Sequence, residues 1–350
     1  MSQPRRIRPG TIWFVTRRTT RRFMLLRPDV DGVAQKIYWY VTAVLAEKFG
    51  IELHAVQVLS THMHEVLTDV RGLLPAFLRE RNRILANVLK RHRDWPEEVF
   101  QRAPASCVEL YGAEVVAQKI GYTLANCVEA GLVNEPAEWP GVGVNANEIG
   151  NRVVDVERPS MYFDTKNPRW PSRATIAITM PALLTTAYAA KARDRVRTAV
   201  CAAVERARAI ARKARYVVEG AASLFNVPFT RRARSAEPVR QRNPTFATGG
   251  DPELRRRAVD ELRGFRALYR QALEALKRGL ARVPFPEGSW RWCRELLPAR
   301  LSRRPISMSV GPMGGRAISG PAGADAAISA PLRPVPSPRS PRKAAHPPRA

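Results

Sequence analysis

Cysteine is scarce in this chain: Cys107, Cys127, Cys201 and Cys293 stand far apart, with no CxxC pair among them. That spacing argues against a disulfide framework and a cysteine-rich zinc site, and it suits a reducing compartment. No run approaches the roughly 18–20 uninterrupted apolar residues that a membrane-crossing helix needs. The basic start, Met1-Ser2-Gln3-Pro4-Arg5-Arg6, leads into no apolar signal core. The expected location is therefore the cytoplasm, in association with the nucleoid, with no membrane partner. A GxxxxGK[ST] phosphate loop is also missing, so the chemistry must run without a bound nucleoside triphosphate of that kind. The most telling shortage is negative charge. Only 31 Asp and Glu oppose 58 Lys and Arg, which leaves a net charge of +27 over 350 residues. A surplus of this size calls for a polyanionic partner, with nucleic acid first and an anionic membrane second.

What is present is enough for a folded protein: 45% hydrophobic residues over this length can bury a sizeable core. Thr11-Ile12-Trp13-Phe14-Val15-Thr16 is a β-rich run that ends in the polar stretch Arg17-Arg18-Thr19-Thr20-Arg21-Arg22. A helix is expected from Pro28-Asp29 to Gly50, with Ile37, Val41, Val44, Leu45 and Phe49 at helical spacing and Gly50 as its C-cap. The segment from Leu53 to Val70 has strand character with a hairpin inside it. Further helices are expected from about Leu74 to Arg91 and from about Val108 to Ala130, the latter closed by Gly131. Strands interleaved with helices in this way predict an α+β sandwich, a small sheet covered by helices.

Beyond Trp139-Pro140-Gly141 the composition shifts. Gly141 to Ser172 reads as loop, and Thr175 to Thr179 as a short strand. Ala187 to Glu219 reads as an Ala/Arg-rich helix with Val196, Val200, Val204 and Ile210 as its few bulky apolar residues, and Pro252 to Arg282 as another of the same character. From Arg303 onward, 10 Pro, 5 Gly and 8 Lys/Arg stand against one Asp, a composition that cannot bury enough apolar surface to offset ordering. Three regions are therefore expected: a compact domain over 1–145, a basic and mainly helical extension over 146–302, and a disordered Pro/Arg-rich tail over 303–350.

His62-Met63-His64 carries the strongest chemical signal. Residues two apart on a strand face the same way, so both imidazoles project together and can share a divalent cation while leaving positions open for a substrate oxygen. His54 has the same parity but stands eight residues away and reads as a hydrogen-bonded core histidine. Tyr122 and Asn126 lie four apart on a helix, which sets phenol and carboxamide side by side.

With these residues in place, the sequence resembles the REP-associated tyrosine transposases, within the HUH single-tyrosine transposases. Gly10-Thr11-Ile12-Trp13-Phe14-Val15-Thr16-Arg17-Arg18 is similar to that family's first strand, and Val58-Leu59-Ser60-Thr61-His62-Met63-His64 to its HUH strand. Gly121 to Val133, with the trailing Glu138-Trp139-Pro140, is similar to its tyrosine helix. The resemblance implies a ferredoxin-like sandwich with a small antiparallel sheet. It implies that His62, His64 and Asn126 hold Mg²⁺ or Mn²⁺, and that Tyr122 attacks a phosphodiester of single-stranded or hairpin DNA to give a 5′-phosphotyrosine and a free 3′-hydroxyl. Arg17, Arg18, Arg21 and Arg22 are the expected DNA-binding residues, in a monomer or a homodimer. Four positions depart from the family pattern: Ser60, Thr61, Glu65 and Cys127. Glu65, next to His64, is expected to crowd or rewire the metal shell, and the substitutions around His62 together motivate an alternative: a domesticated or inactive relative that binds structured DNA without cleaving it.

Overall fold

The computed structural model describes residues 4–215, 217–233, 244–281 and 283–289. The expected tail at 303–350, Trp290 and Cys293 lie outside the described residues. The chain runs β1 (Thr11–Arg18), α1 (Val33–Phe49), β2 (Ile51–Val58), β3 (His62–Asp69), α2 (Leu74–His92), β4 (Ser106–Leu110) and α3 (Ala113–Glu129). It continues through β5 (Val153–Glu157), β6 (Arg173–Ala177), α4 (Ala182–Tyr188), α5 (Ala192–Ala214), α6 (Ala221–Asn226), β7 (Phe246–Ala247) and α7 (Pro252–Lys277). The architecture is α+β, a mixed five-stranded sheet covered by helices. Its strand order is β2-β3-β1-β4-β7, antiparallel throughout except for the parallel β4–β7 pair.

The register follows from alternation. Thr11 to Arg18 pairs without a break against Asp69 to His62. Phe14, Thr16 and Arg18 thus share one face with His62, His64 and Val66, while Trp13, Val15 and Arg17 share the other with Met63, Glu65 and Leu67. Helices α1 and α2 cover the second face: Tyr38 of α1 and Arg81 of α2 both reach Glu65 there. Helix α3 covers the first face and is backed in turn by α5, whose Val196, Ala199, Ala203, Val204 and Ala207 are buried. The alanines let the two helices come close. A Cβ on Gly121 would lie 2.5 Å from the carbonyl oxygen of Ala199.

Expected helix ends hold where a glycine sets them. Gly50 caps α1 at φ 67°, donating its N–H back to Ala46, and Gly131 follows α3 at φ 68°. Asp251 caps α7 by accepting from the backbone of Glu253 and Leu254 ahead of Pro252, the arrangement that starts a helix best.

Three expectations change. Residues 106–110 form a strand and not the first turns of α3, because they pair with β1 and Gly112, at φ 89°, breaks the chain before Ala113. The stretch 141–172 is more than loop: β5 pairs with β6, and together they cover the outer side of α1. Tyr38, Trp39 and Tyr40 are all buried, as is Trp13. Tyr40 packs on Phe163 and Trp170 and donates to the carbonyl of Pro171 at 2.6 Å. Last, Ile210 of α5 is 53% exposed and takes no part in the packing stripe. No helix among the described residues is long and apolar enough to cross a membrane.

Candidate active site

His62 and His64 stand on β3 at the turn end of the β2–β3 hairpin, their ring centroids 4.8 Å apart and nearly perpendicular. The neighbouring residues hold both rings. Thr16, directly across from His64, places its hydroxyl 2.9 Å from His64 Nδ1, and the hydroxyl of Thr61 lies 2.9 Å from His62 Nδ1. Phe14 stacks flat on His64 at 5.3 Å and 9°. With each Nδ1 facing a hydroxyl that can donate or accept, each ring can present its Nε2 lone pair outward.

Helix α3 brings Tyr122 and Asn126 over these rings. The Tyr122 ring meets His64 edge to face at 5.5 Å and Phe14 at 5.8 Å. Asn126 Oδ1 lies 3.2 Å from His62 Nε2. The four side chains from β3 and α3 therefore converge on one patch of the sheet. His54 does not join them. It sits at the register shift in β2, fully buried, held by Thr179 and by the Thr68 hydroxyl at 2.7 Å.

The arginines divide. Arg18, paired across the strands with His62, lies on the site's face. Arg22 adds its field at His62, from a turn where Arg21 and Arg22 adopt φ of 44° and 58°, uncommon for side chains of this size. Arg21 is exposed and lines an open groove with Lys90 and Arg102. Arg17 points to the opposite face, where its guanidinium caps the carbonyls of Gln101 and Ala103 and covers Phe100.

Glu65 also leaves the site. Fully buried on the α1/α2 face, it accepts two hydrogen bonds from Arg81, at 2.5 and 2.8 Å, and one from the Tyr38 hydroxyl at 2.5 Å. Contrary to expectation, Glu65 does not reach His62 or His64, because adjacent strand residues face opposite ways. Cys127 is buried beneath α3, its thiol directed at the carbonyl of Leu124.

Burial sets the electrostatics. Desolvation pulls His62 down to about 4, aided by Arg18 and Arg22 against the opposing hydrogen bond to Asn126. Desolvation, then His62, Arg18 and Lys119, hold His64 well below the ordinary imidazole range. Both rings are thus neutral at pH 7, the form that binds a cation. Tyr122 is raised, by burial first and by Glu129 second, with Arg18 and Asn126 opposing. Left to itself, this phenol is a weaker source of phenolate than a free tyrosine.

Two of the donors are spaced as neighbouring ligands of a small divalent cation would be. Two ligands adjacent on one octahedral ion at about 2.1 Å stand about 3 Å apart, close to the 3.2 Å between His62 Nε2 and Asn126 Oδ1. Among the described residues no group of three or more His, Cys, Asp or Glu could hold a metal, so a candidate set of two imidazoles and a carboxamide must be completed by water or substrate oxygens. Sequence reasoning missed Thr16 and Phe14, which share Arg18's parity on β1. It also missed Lys119, one helical turn before Tyr122, whose ammonium lies 5.1 Å from the Tyr122 ring centre and 5.2 Å from that of Phe14.

No family model matches the sequence, and neither does any curated protein. Among solved structures, one of a REP-associated tyrosine transposase bound to a REP hairpin is similar to 42% of this chain and 85% of its own, at 20% identity and a TM-score of 0.35.

Proposed function

We propose that this chain is a metal-dependent DNA nickase and strand transferase of the HUH single-tyrosine type, acting on single-stranded or hairpin DNA in transposition. On this reading, β1 to β4, in the spatial order β2-β3-β1-β4, form a ferredoxin-like sandwich that presents the site on its α3 face. One observation carries the proposal: His62, His64, Tyr122 and Asn126, some sixty residues apart in sequence, meet on one face of the sheet.

The residues divide the work. His62, His64 and Asn126 would hold Mg²⁺ or Mn²⁺, which when bound neutralises phosphate charge and orients the phosphate for in-line attack. Tyr122 Oη forms a bond to phosphorus while the bond from phosphorus to the 3′-oxygen breaks. The phenol proton is released and the departing 3′-oxygen takes one up, which leaves a 5′-phosphotyrosine and a free 3′-hydroxyl. Attack by a 3′-hydroxyl reverses the step with no other energy source, in keeping with the missing phosphate loop. Phe14 packs edge to face on Tyr122, α5 backs the helix that carries it, and Thr16 and Thr61 hold the imidazoles. Arg18 and Arg22 give the strand a positive approach.

The test is incubation of the full chain with hairpin-bearing single-stranded DNA and Mn²⁺. A covalent protein–DNA adduct that EDTA abolishes and Tyr122→Phe lacks is expected. If wild type forms no adduct with any metal while it still binds the hairpin, the protein is a binder only. Glu65, one of the departures that favoured that alternative, faces away from the histidines, while Thr61, another, sets its hydroxyl 2.9 Å from His62 Nδ1.

A further inference from the structure

The site holds a cation that forms no salt bridge among the described residues. Lys119 lies half-buried on α3, one turn before Tyr122 and on the same side of the helix, with its position reinforced by the Thr123 hydroxyl on its carbonyl at 2.8 Å. Its ammonium sits over the rings of Phe14 and Tyr122, 5.2 and 5.1 Å from their centres. The charge of Glu129 acts on it without forming a salt bridge. Three buried arginines differ in this respect. Arg81 is paired with Glu65, Arg93 with Asp29, and Arg6 with Glu109 and Glu261. A lysine that merely covers apolar surface lays its stem there and sends the ammonium to water. Here the charged end itself rests on the rings, beside the nucleophile. Leaving a half-buried charge unpaired is costly unless an anion completes it.

We infer that Lys119 contacts the scissile phosphate, donating from its ammonium to a non-bridging oxygen while Tyr122 attacks. The inference rests on the proposed role of Tyr122. Lys119 takes no part in the bond changes; it offsets charge on the equatorial oxygens as they crowd, and it selects a phosphodiester over a neutral linkage. Arg18 approaches from β1 and Lys119 from α3, so the phosphate is held between two cations on different elements.

Two readouts on the full chain test this with Lys119→Gln and Lys119→Arg. The first is the salt dependence of hairpin-DNA binding, which needs no cleavage. One lost phosphate contact should lower the slope of log K against log salt by about 0.7 for Lys119→Gln, with Lys119→Arg close to wild type. The second is the single-turnover rate of adduct formation, expected to fall roughly tenfold to a hundredfold in Lys119→Gln and to recover largely in Lys119→Arg. Thermal unfolding of each variant guards against misfolding, and Lys119→Met, which keeps the stem over Phe14, replaces the glutamine if that variant is unstable. An unchanged slope overturns the phosphate contact. A changed slope with an unchanged rate overturns its assignment to the scissile phosphate. A wild type that forms no adduct refutes the nickase reading and, with it, the scissile assignment, while the slope still decides whether Lys119 meets a phosphate.

Discussion

Gly121 offers a sharp test of how Tyr122 is positioned. By helix propensity alone, Gly121→Ala should stabilise α3 by about 1 kcal/mol. The contacts predict the opposite. A Cβ at this position would stand 2.5 Å from the oxygen, 2.7 Å from the carbon of the Ala199 carbonyl and 3.1 Å from the nitrogen of Val200. These are backbone atoms of α5 and cannot rotate aside. Restoring ordinary contact at about 3.4 Å requires α3 and α5 to separate by about 0.9 Å, which loosens the alanine-lined seam between them. Overpacking of this kind costs about 1–3 kcal/mol. Because backbone must move, the upper end applies, and the net destabilisation after the propensity gain is about 2 kcal/mol. Thermal or urea unfolding measures it directly. Tyr122 is the next residue, and a displacement near 1 Å can cost about a hundredfold in rate. Adduct formation should therefore fall with stability. A variant as stable as wild type would refute the packing argument, and one that is destabilised but reacts at the wild-type rate would refute the claim that α5 positions Tyr122.

Other consequences are equally measurable. Glu65→Gln leaves Arg81 charged and fully buried without a counter-ion, so urea unfolding should report a loss of about 3–5 kcal/mol, whereas combining Glu65→Leu with Arg81→Met is expected to recover most of it. His54 is held down to about 4 by burial, with the Thr179 carbonyl opposing. Since its folded value lies below the ordinary 6.5, its contribution is complete above that pH and is lost as pH falls toward 4, by about 3 kcal/mol in total. Stability measured from pH 7 to 4 should decline less steeply in His54→Gln. Burial pushes Asp29 upward, but hydrogen bonds from His92 and Arg93 outweigh it and hold the carboxyl at about 2. Its contribution, about 2 kcal/mol, is present above the ordinary carboxylate range and lost between about pH 4 and 2, a step that Asp29→Asn should remove from the acid-unfolding curve.

Much of the site was legible because its two motifs obey local periods. Period two on β3 joins His62 to His64, and the i, i+4 relation on α3 joins Tyr122 to Asn126. Their meeting depends on the resemblance to a known family, since no local rule brings β3 under α3. The direction of Glu65 follows from the same period two, but its meaning required Arg81, sixteen residues on and on another helix. Residues 106–110 carry no local mark that separates a short strand from a helix start; pairing with β1 decides it. The burial of Tyr38, Trp39 and Tyr40 was hidden for a similar reason. One helix cannot hide three consecutive residues against a single sheet, and here β5 and β6 cover the remaining side. The charge surplus divides as well: Arg195 and Arg208 of α5 are engaged with Glu114 and Glu135, while Arg206, Arg212 and Lys213 are left to the outer side of that helix.

The central claim, that Tyr122 becomes joined to the 5′ end of a cut strand, is tested most directly by labelling the two ends of one hairpin substrate separately. With Mn²⁺ present, the account predicts that a 3′-end label stays with the protein through denaturation, that a 5′-end label is released on a fragment with a free 3′-hydroxyl, and that digestion places the attached nucleotide on the peptide containing Tyr122. Attachment to any other residue, retention of the 5′ label, or cleavage undiminished in Tyr122→Phe would contradict it.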